Sequence, residues 1–400
     1  MGYQTLLVGL LSLNFGILFF DRNALNFLMP FVKPDLGLSN TQVGLTASAL
    51  SFSWAIATLV IGAASDRSGR RKIFLIGATI AFSLCSVLSG LATSFLALLG
   101  ARLLMGVADG GVAPISQSMT VLTVAPERRG LAMGVMQNFG SNLFGSFIAP
   151  VLLVAFATAY GWHTAFYITA IPGFLSALLL WLFVREPAAE LRAVETEGLA
   201  DRVRAVLADR NMVLCALMSV LLVSYLVVCW AFMPLFLTSV RGFSPATMGW
   251  LMSGLGIAAT VGSFAVSGIS DRFGRKPVMI AASFAGVVLP LAALYYGGST
   301  WVLAGFFVVG WTLTGIFPLF MGTVPSESVD HRYMATAIAL VMSVGEIFGG
   351  VLAPTLAGYA ADAAGLAAPL WIMMGLCVAA GIAALGLRET APRRLQKTSA

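Results

Sequence analysis

Twelve apolar runs, each long enough to cross a lipid bilayer as a helix, leave this chain few folds to choose from. They fall at about 5–31, 41–64, 73–95, 96–124, 131–157, 163–184, 212–239, 246–269, 278–298, 301–325, 334–360 and 366–387. Inside hydrocarbon the chain itself has to satisfy every backbone polar group, so runs of this length have to be helical. Composition agrees: charged residues are 10% of the chain, against roughly 25% in a soluble domain. Mean hydropathy is +0.92. The expected fold class is an all-α polytopic membrane protein with twelve transmembrane helices. The first run is too long and too polar for a removable signal peptide and lacks a basic leader, so it is expected to remain as a span.

Cationic residues fix the orientation. With both termini inside, 19 of the 23 Lys and Arg fall in inner loops, the connector or the tail, and only Lys33 and Arg241 fall outside. Arg22 and Arg102 lie within spans. That asymmetry is a positive-inside pattern, and it accounts for the net charge of +6 without nucleic-acid binding. The inner membrane of a bacterium, with both termini cytoplasmic, is the expected location.

The chain also repeats. One inner loop reads Asp66-Arg67-Ser68-Gly69-Arg70-Arg71-Lys72, and another reads Asp271-Arg272-Phe273-Gly274-Arg275-Lys276. Asp66 and Asp271, Gly69 and Gly274, and Arg70 and Arg275 are each 205 residues apart. Arg185-Glu186 and Arg388-Glu389 echo one another at the ends of the halves. The expected organisation is an N-terminal six-helix half at 1–184, a cytoplasmic connector at 185–211, a C-terminal half at 212–387 and a tail at 388–400. The offset preserves membrane orientation, which means a parallel repeat. The connector holds 11 charged residues in 27 and cannot span; Leu199 to Leu207 is expected to form a short amphipathic helix.

Charges at membrane depth mark candidate sites, since each costs roughly 2.5–3.5 kcal/mol on insertion scales. Asp21 and Arg22 sit together in the first run. Helical neighbours point about 100° apart, so the two face different surroundings. In the fourth run Arg102 and Asp109 are seven residues apart and share a face, with Gly106 between them. Arg102 reads either as a functional cation or as a buried arginine bonded to carbonyls of a neighbouring helix. In the fifth run Gln137, Asn138, Ser141 and Asn142 offer amides and a hydroxyl, and α-helical spacing puts Asn138, Ser141 and Asn142 on one face. Cavity lining and interhelical hydrogen bonding both fit them. Glu346, 205 residues after Ser141, is a third protonation site, a partner for Arg22 or Arg102, or a structural acid. Arginine is a permanent cation with a planar fork suited to a carboxylate, and desolvation of a carboxylate favours its neutral, proton-carrying form. Of the aromatic residues near the expected cavity, which include Tyr225, Trp230 and Trp250, Trp311 is the candidate substrate contact.

The duplicated Asp-Arg-x-Gly-Arg loop, the twelve spans and the repeat of six together resemble the major facilitator superfamily over the whole chain. The resemblance implies that Asp66, Arg67, Gly69, Arg70, Asp271, Arg272, Gly274 and Arg275 form gating loops, and it links Arg102 to coupling. Asp21-Arg22, an acid seven residues after Arg102, and Gly161-Trp162-His163 narrow the resemblance to the anion:cation symporters, which include bacterial sugar-acid and organic-anion/proton carriers. In that branch Arg22 would bind the substrate anion, with Asp21 and Asp109 carrying protons. Three departures stand out. Phe19 occupies the place of a tyrosine and Asp109 that of a glutamate, and Glu346, which the branch does not anticipate, is the main one.

The expected function is therefore proton-coupled uptake of a small organic anion, such as a sugar acid or other carboxylate. An exporter or antiporter of metabolites or drugs is the alternative, disfavoured because Gly145 and Pro150 are separated where drug antiporters carry a Gly-Pro pair. A receptor on a transporter scaffold is disfavoured by two intact gating loops. No catalytic residues, nucleotide-binding loop or metal-type spacing occur, and Cys85, Cys215, Cys229 and Cys377 are scattered through apolar runs. The expected partners are the anion, protons and the lipid bilayer, with no cofactor, no metal, no nucleic acid and a monomeric chain.

Overall fold

A computed structural model describes residues 2–125, 128–187, 199–330 and 333–391. The side chains of Asp66, Asn138 and Arg202 lie outside the described residues, as do 188–198 of the connector and the tail from 392 onward.

Twelve helices among the described residues are long and apolar enough to cross a membrane. Spans 1 to 6 are Tyr3–Asp35, Asn40–Gly62, Arg71–Gly90, Phe95–Thr123, Leu131–Tyr160 and Trp162–Phe183. Spans 7 to 12 are Arg210–Ser239, Pro245–Phe273, Arg275–Tyr295, Thr300–Ser328, Thr336–Ala364 and Ala368–Leu385. All twelve expected runs are present. Their ends follow local chemistry. Ser39 caps span 2 in a reciprocal capping box with Gln42, and Ser94 caps span 4 through the Ala97 amide. A short helix at Leu199–Leu207 lies in the connector, as expected.

Spans 5, 10 and 11 are not plain α-helices. Val135–Phe139 and Ser141–Ile148 are π-helical, as are Leu319–Thr323 and Gly345–Leu352. Thr312–Ile316 is a tight 3-10 turn. A π turn bonds to the fifth residue back and widens the helix, so the α-helical spacing used to put Asn138, Ser141 and Asn142 on one face does not hold there. The repeat register needs a second correction. Gly37 and Gly242, like Gly69 and Gly274, have positive φ and lie 205 residues apart, but Gly161 and Gly365 lie 204 apart. Pro150 and Pro354, at matching N-terminal turns, also differ by 204. Glu346 therefore corresponds to Asn142 rather than to Ser141.

The chain divides into two compact units: Met1–Leu191 with Pro234–Gly256, and Arg192–Met233 with Ile257–Ala400. In the first, spans 1 and 5 approach so closely that a Cβ on Gly140 would lie 2.0 Å from the Ser12 carbonyl oxygen. Side chains of span 1 bond carbonyls of the widened span 5. Ser12 Oγ donates to Val135 O at 2.9 Å, and Asn23 Nδ2 donates to Gly145 O at 3.2 Å. Spans 2 and 4 close on one another at Gly106, where a Cβ would meet Ser53 Oγ at 2.1 Å and Trp54 N at 3.0 Å. Small residues permit such approaches between helices that lack a hydrophobic driving force in lipid.

In the second unit the Tyr225 hydroxyl donates to Gly286 O at 2.9 Å. Trp311 packs beside it, with ring centroids 6.0 Å from Tyr225 and 5.3 Å from Trp230.

Candidate functional site

Spans 1, 3 and 6 meet along two polar layers. In the first, Asn14 Oδ1 accepts from Thr79 Oγ1 at 3.1 Å and from Ser176 Oγ at 2.8 Å. Seven residues further along span 1, Asp21 accepts from Ser86 Oγ, and the nearby Thr169 hydroxyl donates to Phe166 O at 2.8 Å. Ser86 is seven residues beyond Thr79, and Thr169 seven before Ser176, as two parallel helices and one antiparallel helix require. Asn14, Asp21, Thr79, Ser86, Thr169 and Ser176 are all buried.

Arg22 points elsewhere, as the step between helical neighbours demands. Its guanidinium lies 5.3 Å from the Trp54 ring centroid and 5.8 Å from that of Phe19. It is half-buried. No hydrogen bond or ion pair is recorded for this side chain among the described residues. Asp109 is in electrostatic reach of Arg22, Asp21 and Arg102.

Arg102 and Asp109 are both 1% exposed. They share a helical face but do not pair. Seven residues separate them by about 10.5 Å of helix rise. Arg102 Nη1 instead donates to Arg22 O at 3.3 Å and lies 3.3 Å from Met105 Sδ. Its guanidinium sits 5.7 Å from the Phe166 ring centroid. Asp21 Oδ2, Asp109 Oδ2, Arg102 Nε and Arg102 Nη2 are buried with no hydrogen-bond partner in the protein. Each such group costs about 1–3 kcal/mol, so a cluster of four is a burden that packing alone does not explain.

Span 5 contributes Gln137 and Asn142, both half-buried. Gln137 Nε2 makes only a long contact to Met133 Sδ, at 3.9 Å, and no hydrogen bond is recorded for the Asn142 side chain. Glu346 stands half-buried on the π segment of span 11 and is already engaged by contacts of its own. Trp311 is 1% exposed and serves the packing of the second unit; with its ring covered, it presents no surface to a substrate in this structure.

The two inner loops are built alike but held differently. Gly69 and Gly274 end helices with φ of +66° and +105°, values that favour glycine. Arg67, Arg70 and Arg272 are exposed, and the Arg272 guanidinium lies 5.7 Å from the Phe273 ring centroid. Asp271 bonds Arg275, whose Nη1 also donates to Ser270 Oγ at 2.7 Å and whose Nη2 meets Glu327 Oε1 at 3.1 Å. In the other loop Arg71 Nε donates to Ser118 Oγ at 2.8 Å.

The amides at the helix starts are taken by acids that the sequence marked only as an echo. Glu186 accepts from Lys72 N at 3.0 Å, and Glu389 accepts from Arg275 N at 2.8 Å. Glu327, Glu186, Glu389 and Trp54 were all missed as site residues. The repeated Arg-Glu pair was the available signal for two of them.

Twelve spans, a twofold repeat and a buried charged cluster beside a half-buried arginine define a polytopic membrane carrier. The family model of the Major Facilitator Superfamily matches residues 11–243 and 227–400. The chain belongs to the major facilitator superfamily; it is a multi-pass membrane transporter and not an enzyme. It is 28% identical over 398 residues to a hexuronate transporter of Bacillus subtilis, covering 92% of this chain and 90% of the relative. It is 29% identical over 347 residues to the 3-(3-hydroxy-phenyl)propionate transporter of Escherichia coli, covering 84% and 82%. The crystal structure of the nucleoside transporter NupG shares the fold, with a TM-score of 0.78 at 15% identity, covering 96% of this chain and 98% of that one.

Proposed function

We propose that the chain carries a small organic anion into the cell together with protons, by alternating access, as a monomer in a bacterial inner membrane with both termini cytoplasmic. The observation that carries this reading is Arg22. Its fork of donors is half-exposed, rests against two aromatic rings and has no protein acceptor recorded. A permanent cation at membrane depth in this state is an anchor for a carboxylate. The relatives named as carriers of hexuronate, of hydroxyphenylpropionate and, in Escherichia coli, of sialic acid all move organic acids, which supports the same class of cargo.

Asp21 and Asp109 are the proposed proton carriers. Both are buried acids with one carboxylate oxygen lacking a protein partner, and desolvation favours the neutral form of such a group. Asp109 lies in the field of Arg22, so an anion arriving at the arginine changes what the acid feels. Gln137, Asn138 and Asn142 are proposed to contact the substrate, Arg102 to hold the site together, and Glu346 to be a further coupling acid in the second unit.

The test is transport in proteoliposomes. Asp21→Asn and Asp109→Asn each mimic the protonated acid. They should abolish uptake driven by a pH gradient while leaving counterflow of labelled substrate, which needs no net proton movement. Accumulation by the double variant when only pH differs across the membrane would place coupling elsewhere, with Glu346 the first candidate.

A further inference from the structure

We infer that the acid this site selects carries a planar aromatic or unsaturated body rather than a polyol. The inference rests on Arg22 as the carboxylate anchor and names what surrounds the rest of the cargo.

A carboxylate seated on the Arg22 fork leaves its body within a few ångströms of the guanidinium. There the recorded neighbours are rings: Trp54 at 5.3 Å and Phe19 at 5.8 Å from Cζ to centroid. Both rings are half-buried, so each keeps surface to offer. The Trp54 backbone is held in place. Its nitrogen sits where a Cβ on Gly106 would come within 3.0 Å, at the tight crossing of spans 2 and 4. No hydrogen bond is recorded for its indole N–H among the described residues.

Reading a polyol takes hydroxyls and amides that are free to bond. The span 2 hydroxyls on either side of Trp54 already donate within their own helix. Ser53 Oγ donates to Ala49 O at 2.9 Å, and Thr58 Oγ1, one turn beyond Trp54, donates to Trp54 O at 2.8 Å. Ser86 serves Asp21, about 100° around span 1 from Arg22, and Thr169 donates to Phe166 O. Phenylalanine at position 19 brings no hydroxyl at all. Each sugar hydroxyl moved from water into such a lining loses partners without replacement, whereas a ring gains stacking and edge contacts. Gln137 and Asn142 remain for one or two polar substituents.

The experiment measures binding to the full chain in nanodiscs by titration calorimetry, with 3-phenylpropionate, 3-cyclohexylpropionate and D-glucuronate as probes. The phenyl acid should bind roughly threefold to tenfold tighter than its saturated counterpart, the increment expected of ring–ring contact. Glucuronate should be weaker than the phenyl acid by about a hundredfold. Trp54→Leu should erase the phenyl-over-cyclohexyl preference, and Trp54→Phe should restore most of it, which a merely misfolded variant would not do. Arg22→Ala should weaken all three probes. Equal binding of the phenyl and cyclohexyl acids, or a preference for glucuronate that still depends on Arg22, overturns this inference and leaves the anchor standing. Binding indifferent to Arg22→Ala overturns the anchor, and the inference with it.

Discussion

Arg102 donates to the main-chain carbonyl of Arg22, Nη1 to O at 3.3 Å, so the buried arginine of span 4 fixes the backbone that presents the half-exposed arginine of span 1. One cation positions the other. Arg102→Met keeps length and removes the donor. It should weaken substrate binding by about tenfold, the worth of one charge-assisted hydrogen bond. Adding Arg22→Ala should then cost much less than it does alone, because both act through one group. Additive losses in that double-mutant cycle would mean that the two arginines work independently.

Arg22 itself should tolerate no replacement. Arg22→Lys retains charge but loses the planar pair of donors, and Arg22→Ala loses both. Affinity should fall by about tenfold in the first and about a hundredfold in the second. Unchanged affinity in Arg22→Ala would point to Arg102 as the anchor.

The inner loops should control rate and leave choice of substrate alone. Asp271→Asn breaks the bond to Arg275, and Asp66→Asn changes the matching position of the other loop. Both should slow turnover while the ranking of competing substrates in binding assays stays fixed. Glu389→Gln weakens the cap on span 9 and should cost about 1 kcal/mol in thermal stability. A reordered substrate ranking in either Asp variant would show that the loops touch cargo.

Gly140→Ala should be the most disruptive single methyl. Its Cβ would lie 2.0 Å from the Ser12 carbonyl oxygen, so spans 1 and 5 have to part, at a cost of about 1–3 kcal/mol. Gly134→Ala, with nothing within 4 Å, is the control; it should be neutral or add up to about 1 kcal/mol. Melting of the two purified variants separates these outcomes, and similar melting temperatures would contradict the close approach.

The spans were readable from sequence because lipid leaves a long apolar run no alternative to a helix. Asp21, Arg22, Arg102 and Asp109 were readable because a charge at depth is conspicuous. Their partners were less so. Thr79, Ser83 and Ser86 recur at helical spacing along span 3, a pattern that anticipates a hydroxyl seam. Nothing in an apolar stretch marks Trp54 as the ring under Arg22. The π segments were invisible for a related reason: hydrophobicity is the same whether a turn is bonded four or five residues back. That Arg102 and Asp109 share a face was readable, but a helical wheel records angle and not the rise along the axis that separates them.

The widened turns of spans 5 and 11 have a mechanical consequence. Asn142 lies in the π segment Ser141–Ile148 and Glu346 in Gly345–Leu352, positions that the 204-residue register makes equivalent. A π turn holds a surplus residue that an α turn does not. If either segment reverted to α geometry, the side chains on one side of the change would swivel by about one residue's step, ~100°. Cysteine-accessibility labelling at position 142, with and without substrate, would register such a turn, and identical labelling in both states would exclude it. Such a reversion would redirect an amide in one half and a carboxylate in the other while the ends of the helix stay where they are.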